Sequence, residues 1–344
     1  MQLKQRDGAT DDPEVETRWF KKKIKGTATK QIRDSLAYLD SNKAIEVTNL
    51  HQHKFEIEPS KIKHVTKIIV FLASENLPDR DQCTRFHLSK TTGEFMHVIA
   101  AHDYLGILQT LGVPEEIARY FDYREMVVRD LAGNFEIEEP DIMGAFLTEL
   151  DEPVCGSRSV LAHLLQDSED FDLSGLLGDL NRHIEAAPDP YQYYEILCEF
   201  ARTPRSMWRA IKKRLILALE ASSNGEFTRP FRVTYPENDC SFMIAALDPD
   251  LPATGVEGEE LRRNGLSNFC GALKHMMQST RCIGILVSRD GEYVQIDWCL
   301  LDYPCRPEPE LGDWLSKANP FRPASEKKVD GYFFKDLPPP YSRH

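Results

Sequence analysis

A chain of 344 residues, 41% hydrophobic and 28% charged, has ordinary globular composition and the length for two or three domains. Its net charge of −13 excludes general nucleic-acid binding by the whole surface. No apolar run reaches about 18 residues, so no transmembrane helix is expected, and the first residues lack the charged-then-apolar pattern of a signal peptide, which predicts a cytoplasmic protein.

The charge is uneven. Residues 1–70 carry a net +4 and the remainder −17, so a polyanion would be met by the N-terminal region. There Gln2-Leu3-Lys4 reads as an extended triplet with Gln2 and Lys4 on one face and Leu3 on the other. Residues 6–13 read as a loop. The spacing of Phe20, Ile24, Ala28, Ile32, Leu36 and Leu39 predicts a helix over 14–39. Glu14 and Glu16 suit its first turn, and Gly26 weakens its middle by about 1 kcal/mol relative to Ala. Lys21, Lys22, Lys23, Lys25, Lys30 and Arg33 make its outer side basic. AIEVTN and KFEIEP are expected to pair as a hairpin around Leu50–His53, and HVTKIIVFLA reads as a buried strand. TRFHLS and EFMHVIA add two strands joined by a Lys-Thr-Thr-Gly turn. HDYLGILQTLG and PEEIARYFDYREMVV read as helices, the second opened by Pro114. Residues 1–130 thus form one α/β unit.

Residues 131–225 read as mostly helical, through EPDIMGAFLTEL, SRSVLAHLLQD, DPYQYYEILCEFA and PRSMWRAIKKRLILALEA. Arg209, Lys212, Lys213 and Arg214 on the last of these read as a solvated face in preference to a membrane or nucleic-acid helix. SSNG marks a boundary. Residues 226–344 form a second α/β unit: strands FRVTY and SFMIAAL, a helix over EGEELRRNGLSNFCGALKHMMQ, a hairpin of CIGILVS and YVQIDWCLL, a short helix ELGDWLSKA, and an extended Pro-rich tail, DLPPPYSRH. The predicted class is therefore α/β, with a helical middle between two α/β units.

The eight cysteines (Cys83, Cys155, Cys198, Cys240, Cys270, Cys282, Cys299 and Cys305) form no CxxC pair and read as reduced, buried thiols. His51 and His53 have metal-ligand spacing but no obvious third ligand, so an exposed turn is expected. His97, His102 and Asp103 could form an acid–base pair, against the simpler reading of a strand histidine followed by a helix cap. No phosphate loop, GxSxG elbow or HExxH helix is present.

Gln2-Leu3-Lys4, a loop, and a basic helix bearing Lys30 and Gln31 resemble the later half of a PD-(D/E)xK, or restriction-endonuclease-like, nuclease core. The wider pattern, QLKQRD, WFKKKIKGTATKQIRDSL, IIVFLA, EFMHVIAAHDYLGIL and YFDYREM, covers about the first 130 residues. It is also similar to uncharacterised bacterial proteins with a nuclease-like N-terminal domain. The resemblance implies a partial nuclease-like domain over 1–130 and a Mg²⁺-dependent phosphodiesterase acting on or binding DNA, of the kind that often occurs in bacterial defence. Gln2 would stand where most of the family has an acidic metal ligand, Lys4 would be the catalytic cation, and Lys30 and Gln31 would support them. Lys21, Lys22, Lys23, Lys25 and Arg33 would contact phosphates. Gln offers only a neutral oxygen, a weaker Mg²⁺ ligand than Asp or Glu. The family's first helix, first two strands and principal Asp would lie upstream of Gln2. Three expectations follow: a longer active product, a catalytically inactive binding platform, or another carboxylate (Asp7, Asp11, Asp12 or Glu94) in the vacant place. The alternative to a nuclease is an interaction protein that docks a protein partner through its acidic remainder. A third reading puts the site in the C-terminal unit, near Asp297, Trp298 and Asp302.

Overall fold

Between Pro13 and Ser41 the backbone of the computed structural model stays helical but changes gauge twice. Helix α1 (Pro13–Phe20) gives way to a π-helical stretch (Lys21–Ala28) and then to α2 (Thr29–Ser41). The reason lies in the apolar row, which recurs every fourth residue. An α-helix turns in about 3.6 residues, so such a row drifts by about 40° per turn. A π-helix, at roughly 4.4 residues per turn, drifts the other way. One π stretch between two α stretches keeps Phe20, Ile24, Ala28 and Ile32 all at 5% exposure or less. The helix expected over 14–39 is thus present, and Gly26 falls within the widened part. Asp12 caps α1, its side chain accepting from the backbone N–H groups of Glu14 and Val15 at 2.9 and 3.4 Å.

The structure describes residues 1–6, 8, 10–62, 64–72, 74–131, 136–235, 239–251, 255–290, 293–305, 309–323 and 333–334. The Pro-rich tail and the candidate carboxylate Asp7 lie outside them. The class is α/β, and the chain separates into two units, Met1–Leu161 and Ala162–His344. Helices of the 131–225 stretch fall on both sides of that division.

In the first unit, β1 (Gln2–Lys4), the hairpin β2 (Ile45–Thr48) and β3 (Lys54–Ile57), and β4 (Ile68–Phe71) are followed by a single helical turn, α3 (Asp79–Gln82). Strands β5 (Phe86–Leu88) and β6 (Phe95–Ala100) come next. The main sheet has the order β1-β4-β6-β5, parallel except for β5. Strands β4 and β6 are buried throughout, as expected for central strands covered on both faces. The α1–π–α2 helix covers one face, with Phe20 edge-on to Phe71 at 5.2 Å. Helices α4 (Ala101–Thr110), α5 (Pro114–Asp130) and α6 (Glu139–Leu147) follow β6, and Phe121 of α5 meets His97 of β6 at 4.9 Å. Among the described residues of 64–73, the expected strand is confined to the four buried ones, Ile68–Phe71.

The division falls at α7 (Leu161–Gln166). The second unit continues with α8 (Ser168–Phe171), α9 (Ser174–Ala186), α10 (Tyr191–Arg202) and α11 (Arg205–Asn224). Gly225, at φ 65°, closes α11 in the left-handed conformation that favours glycine. Strands β7 (Phe231–Tyr235) and β8 (Cys240–Ala246), helix α12 (Gly255–Met277), strands β9 (Arg281–Asp290) and β10 (Tyr293–Asp302), and α13 (Pro309–Lys317) complete it. The sheet order is β10-β9-β8-β7; β8 and β9 are parallel and joined through α12, and the other pairs are antiparallel. Helix α12 packs Leu266, Cys270 and Leu273 against Met243, Ala245 and Cys282. Among the described residues no helix is long and apolar enough to cross a membrane.

Candidate nucleic-acid interface

Strand β1 lies at the edge of its sheet, in parallel register with β4 through Gln2–Ile69 and Lys4–Phe71. Alternation turns Leu3 outward, 58% exposed, and half-buries Gln2 and Lys4 on the opposite face. The helix packs against that strand and brings Gln31 to it. The Lys4 ammonium donates to Gln31 Oε1 at 2.5 Å and to Gln2 Oε1 at 3.5 Å. Three of the four residues picked out as catalytic from the sequence therefore converge across 27 positions of chain. Lys30, the fourth, is exposed beside Gln31.

Lys21, Lys22 and Lys23 are exposed on the π stretch. Lys25 and Arg33 are placed differently. Lys25 is half-buried with its ammonium 5.2 Å from the centroid of Phe20. Burial pushes its pKa down, while Asp81 opposes the shift. Arg33 is half-buried, its Nε without a hydrogen-bond partner among the described residues, and its charge helps lower the pKa of Glu94 after the hydrogen bonds from Lys67 and Thr92.

The donor set does not fit a Mg²⁺ ion. Both amide oxygens face the Lys4 ammonium, which occupies them as acceptors and repels a cation. Asp12 is the α1 cap, Asp11 accepts from Asn76 at 3.5 Å, and Glu94 pairs with Lys67 at 2.8 Å. Among the described residues no group of three His, Cys, Asp or Glu could hold a metal.

Charged pairs that the sequence reading missed fix the unit. Glu16, 1% exposed, pairs with Arg6 at 2.8 Å and accepts from the Thr10 backbone at 3.3 Å, which ties the loop after β1 onto α1. Its place at the head of the every-fourth-residue apolar row is a signal for a buried, partnered carboxylate. Deeper, Arg124 of α5 grips Glu139 of α6 through Nε at 2.7 Å and Nη2 at 2.9 Å. The Tyr120 hydroxyl donates to the same carboxylate. Burial alone would push the Glu139 pKa up, but Arg124 prevails and holds it below the usual carboxylate range.

His97 belongs to this cluster. Its Nδ1 accepts from Arg124 Nη1 at 3.1 Å, and burial, then the Arg124 charge, lowers its pKa to about 2. His97 is thus the neutral strand histidine of the simpler reading. His102 instead meets Asp103 at 3.2 Å on the first turn of α4, where Asp103 does not cap the helix. The rings of His51 and His53 lie 5.9 Å apart in the hairpin loop, whose turn is held by the Asn49 side chain accepting from both backbone N–H groups at 3.0 Å.

In the second unit Asp297 pairs with Arg262 at 2.8 Å, and Trp298 donates to Asp179 at 3.0 Å. On α11, Arg209 reaches Asp167 at 3.8 Å and lies over Phe171, and Lys212 donates to the Glu169 carbonyl. Arg209 and Lys212 are therefore packed on α8 and the residue before it. Cys240, Cys270 and Cys282 are buried, whereas Cys155 and Cys198 are exposed.

Comparison with protein-family models, curated proteins and solved structures returned no match.

Proposed function

We propose that the first unit is a nuclease-like module that binds DNA along its sugar–phosphate backbone. The observation that carries this reading is the Lys4 ammonium held by Gln2 and Gln31 at a sheet edge, on the same helix–strand pair as the exposed Lys21, Lys22, Lys23 and Lys30. Several cations on one helix–strand pair suit a phosphate chain, because each neutralised phosphate releases counterions. Amide side chains suit its oxygens as neutral hydrogen-bond donors once they rotate. Binding is favoured over cleavage because the donor set is wrong for a metal. Lys25 and Arg33, half-buried, contribute less than the exposed lysines.

The test is fluorescence anisotropy of a labelled duplex over a salt series. Five phosphate contacts, by Lys4, Lys21, Lys22, Lys23 and Lys30, predict a log–log slope of about −4.5. Replacing Lys21, Lys22 and Lys23 by Glu is expected to abolish binding at moderate salt. Binding that is absent at low salt, or independent of salt, would overturn the reading. Plasmid incubated in Mg²⁺ and in Mn²⁺ is expected to stay intact. Cleavage that Lys4→Ala abolishes would replace the binding reading with the catalytic one.

A further inference from the structure

Helix α12 carries two glycines, Gly265 and Gly271, well inside its ends. Each is expected to weaken the helix by about 1 kcal/mol relative to Ala. A close approach often explains such a glycine. Gly144 on α6 is an instance, since a Cβ there would lie 2.1 Å from the Ser157 carbonyl oxygen. At Gly265 and Gly271 a Cβ would meet nothing within 4 Å. Both instead line a cleft of about 720 Å³ whose other walls come from the end of β10, the residues after it, and α13. That volume is in the range of small-molecule sites, about 300–1,000 Å³.

Lys274 also lines the cleft and is only 2% exposed. Its ammonium donates to the Tyr303 carbonyl and sits 4.2 Å from the centroid of the Tyr303 ring. Both of these partners are uncharged, and among the described residues no carboxylate forms an ion pair with it; its charge reaches Asp239 only through space, as the last of the causes that lower that carboxylate's pKa. A buried charge whose direct contacts are all neutral is unfavourable unless an opposite charge comes into contact with it. Beside it, His275 Nδ1 is buried with no hydrogen-bond partner among the described residues. Phe269 and Leu311 give the same cleft an apolar wall.

We propose that this cleft binds a small organic anion, its acidic group paired with Lys274 and its apolar body laid on Phe269 and Leu311. Two features of α12 then share one cause: the glycines open the space, and the lysine supplies the charge. The site is independent of the DNA-binding reading and lies in the other unit.

The experiment is calorimetric titration of the full chain with benzoate and phenyl phosphate, and with benzyl alcohol as the neutral control. Either or both anions are expected to bind, and the alcohol at least about tenfold more weakly, a difference of about 1.4 kcal/mol. Lys274→Met is expected to remove the preference for the anion. Gly271→Leu keeps the charge, raises helix propensity and fills the cleft, and it is expected to weaken every probe about tenfold or more. Circular dichroism confirms folding of both variants. Equal binding of alcohol and anions, anion binding unchanged by Gly271→Leu, or no binding of any probe would overturn the proposal.

Discussion

Two polar clusters sit in the same unit and obey different physics. Arg124, Glu139, Tyr120 and His97 are buried, mutually bonded and shifted in pKa. Gln2, Lys4 and Gln31 lie at the sheet edge, partly in water, and make a single short contact, 2.5 Å from Lys4 to Gln31. Perturbed pKa values are often taken to mark function. Here perturbed values belong to the cluster that joins β6, α5 and α6, which holds the fold together. The difference predicts that mutations in the first unfold the unit and mutations in the second do not.

The largest effect is expected at Glu139. Glu139→Ala leaves the Arg124 guanidinium buried without its counter-charge, a loss of about 3–5 kcal/mol. Urea unfolding of the variant measures it, and a loss under 1 kcal/mol, on the scale of an exposed pair, would show that water reaches Arg124 and erase the contrast. Next comes Gly144→Ala, whose new methyl meets backbone at 2.1 Å. The expected cost is about 1–3 kcal/mol. Gly106→Ala on α4 is its control, since nothing lies within 4 Å there, and it is expected to stabilise by about 0.4–1 kcal/mol. The same urea titrations distinguish a packing cause from a general intolerance of the helices to substitution.

The pH dependence sharpens the comparison within the buried side. Burial alone would raise the Asp141 pKa, but hydrogen bonds from Arg158 and from the backbone of Glu138 and Arg158 lower it. Its contribution to stability is therefore complete above the ordinary Asp pKa of about 3.9 and is lost as pH falls through the lowered value. Asp103 has the opposite sign. Burial, and then the charge of Glu139, raises its pKa. Its contribution is present below the ordinary value and is lost as pH rises through the raised one. Thermal melts should show Asp141→Asn lowering the midpoint at neutral pH, with the difference closing in acid. Asp103→Asn should raise the midpoint at neutral pH. A midpoint lowered by Asp103→Asn would mean that the ionised carboxylate is bound by a partner and not strained by its neighbours.

The sequence made the surface cluster legible and hid the buried one, for a physical reason. Alternation along β1 and the four-residue apolar row on the helix are local patterns that mark the strand and the helix; only the resemblance to a nuclease core puts Gln2, Lys4 and Gln31 in one site. The same row marks the helix, but the π stretch that keeps it on the sheet depends on packing against Phe71 and Val98, which no local window contains. Arg124 and Glu139 are 15 residues apart on two helices, each looking like one more surface charge. Their pairing is decided by how α5 and α6 meet, a long-range event. Helix α9 has no named segment within the helical reading of 131–225, because Leu176, Leu180 and Ile184 are a thin apolar stripe among glycines and polar residues. The cleft beside Lys274 escaped for a similar reason: glycine in a helix reads as weakness until the space around it is known.

The smallest effect on stability, and the most discriminating, is expected at Lys4. Lys4→Ala removes a hydrogen bond at a half-exposed edge, so its unfolding free energy should change by no more than about 0.5 kcal/mol. If Lys4 touches a phosphate, the same variant should reduce the salt slope of duplex binding by about one. Gln31→Ala keeps the charge but releases the side chain that positions it. Its slope should match the unaltered protein while its affinity falls, because the lysine must then lose rotamer freedom on binding. Paired urea and anisotropy measurements separate the two roles. A stability loss at Lys4 as large as that at Glu139 would make the edge cluster part of the scaffold and remove the physical basis for assigning it a ligand.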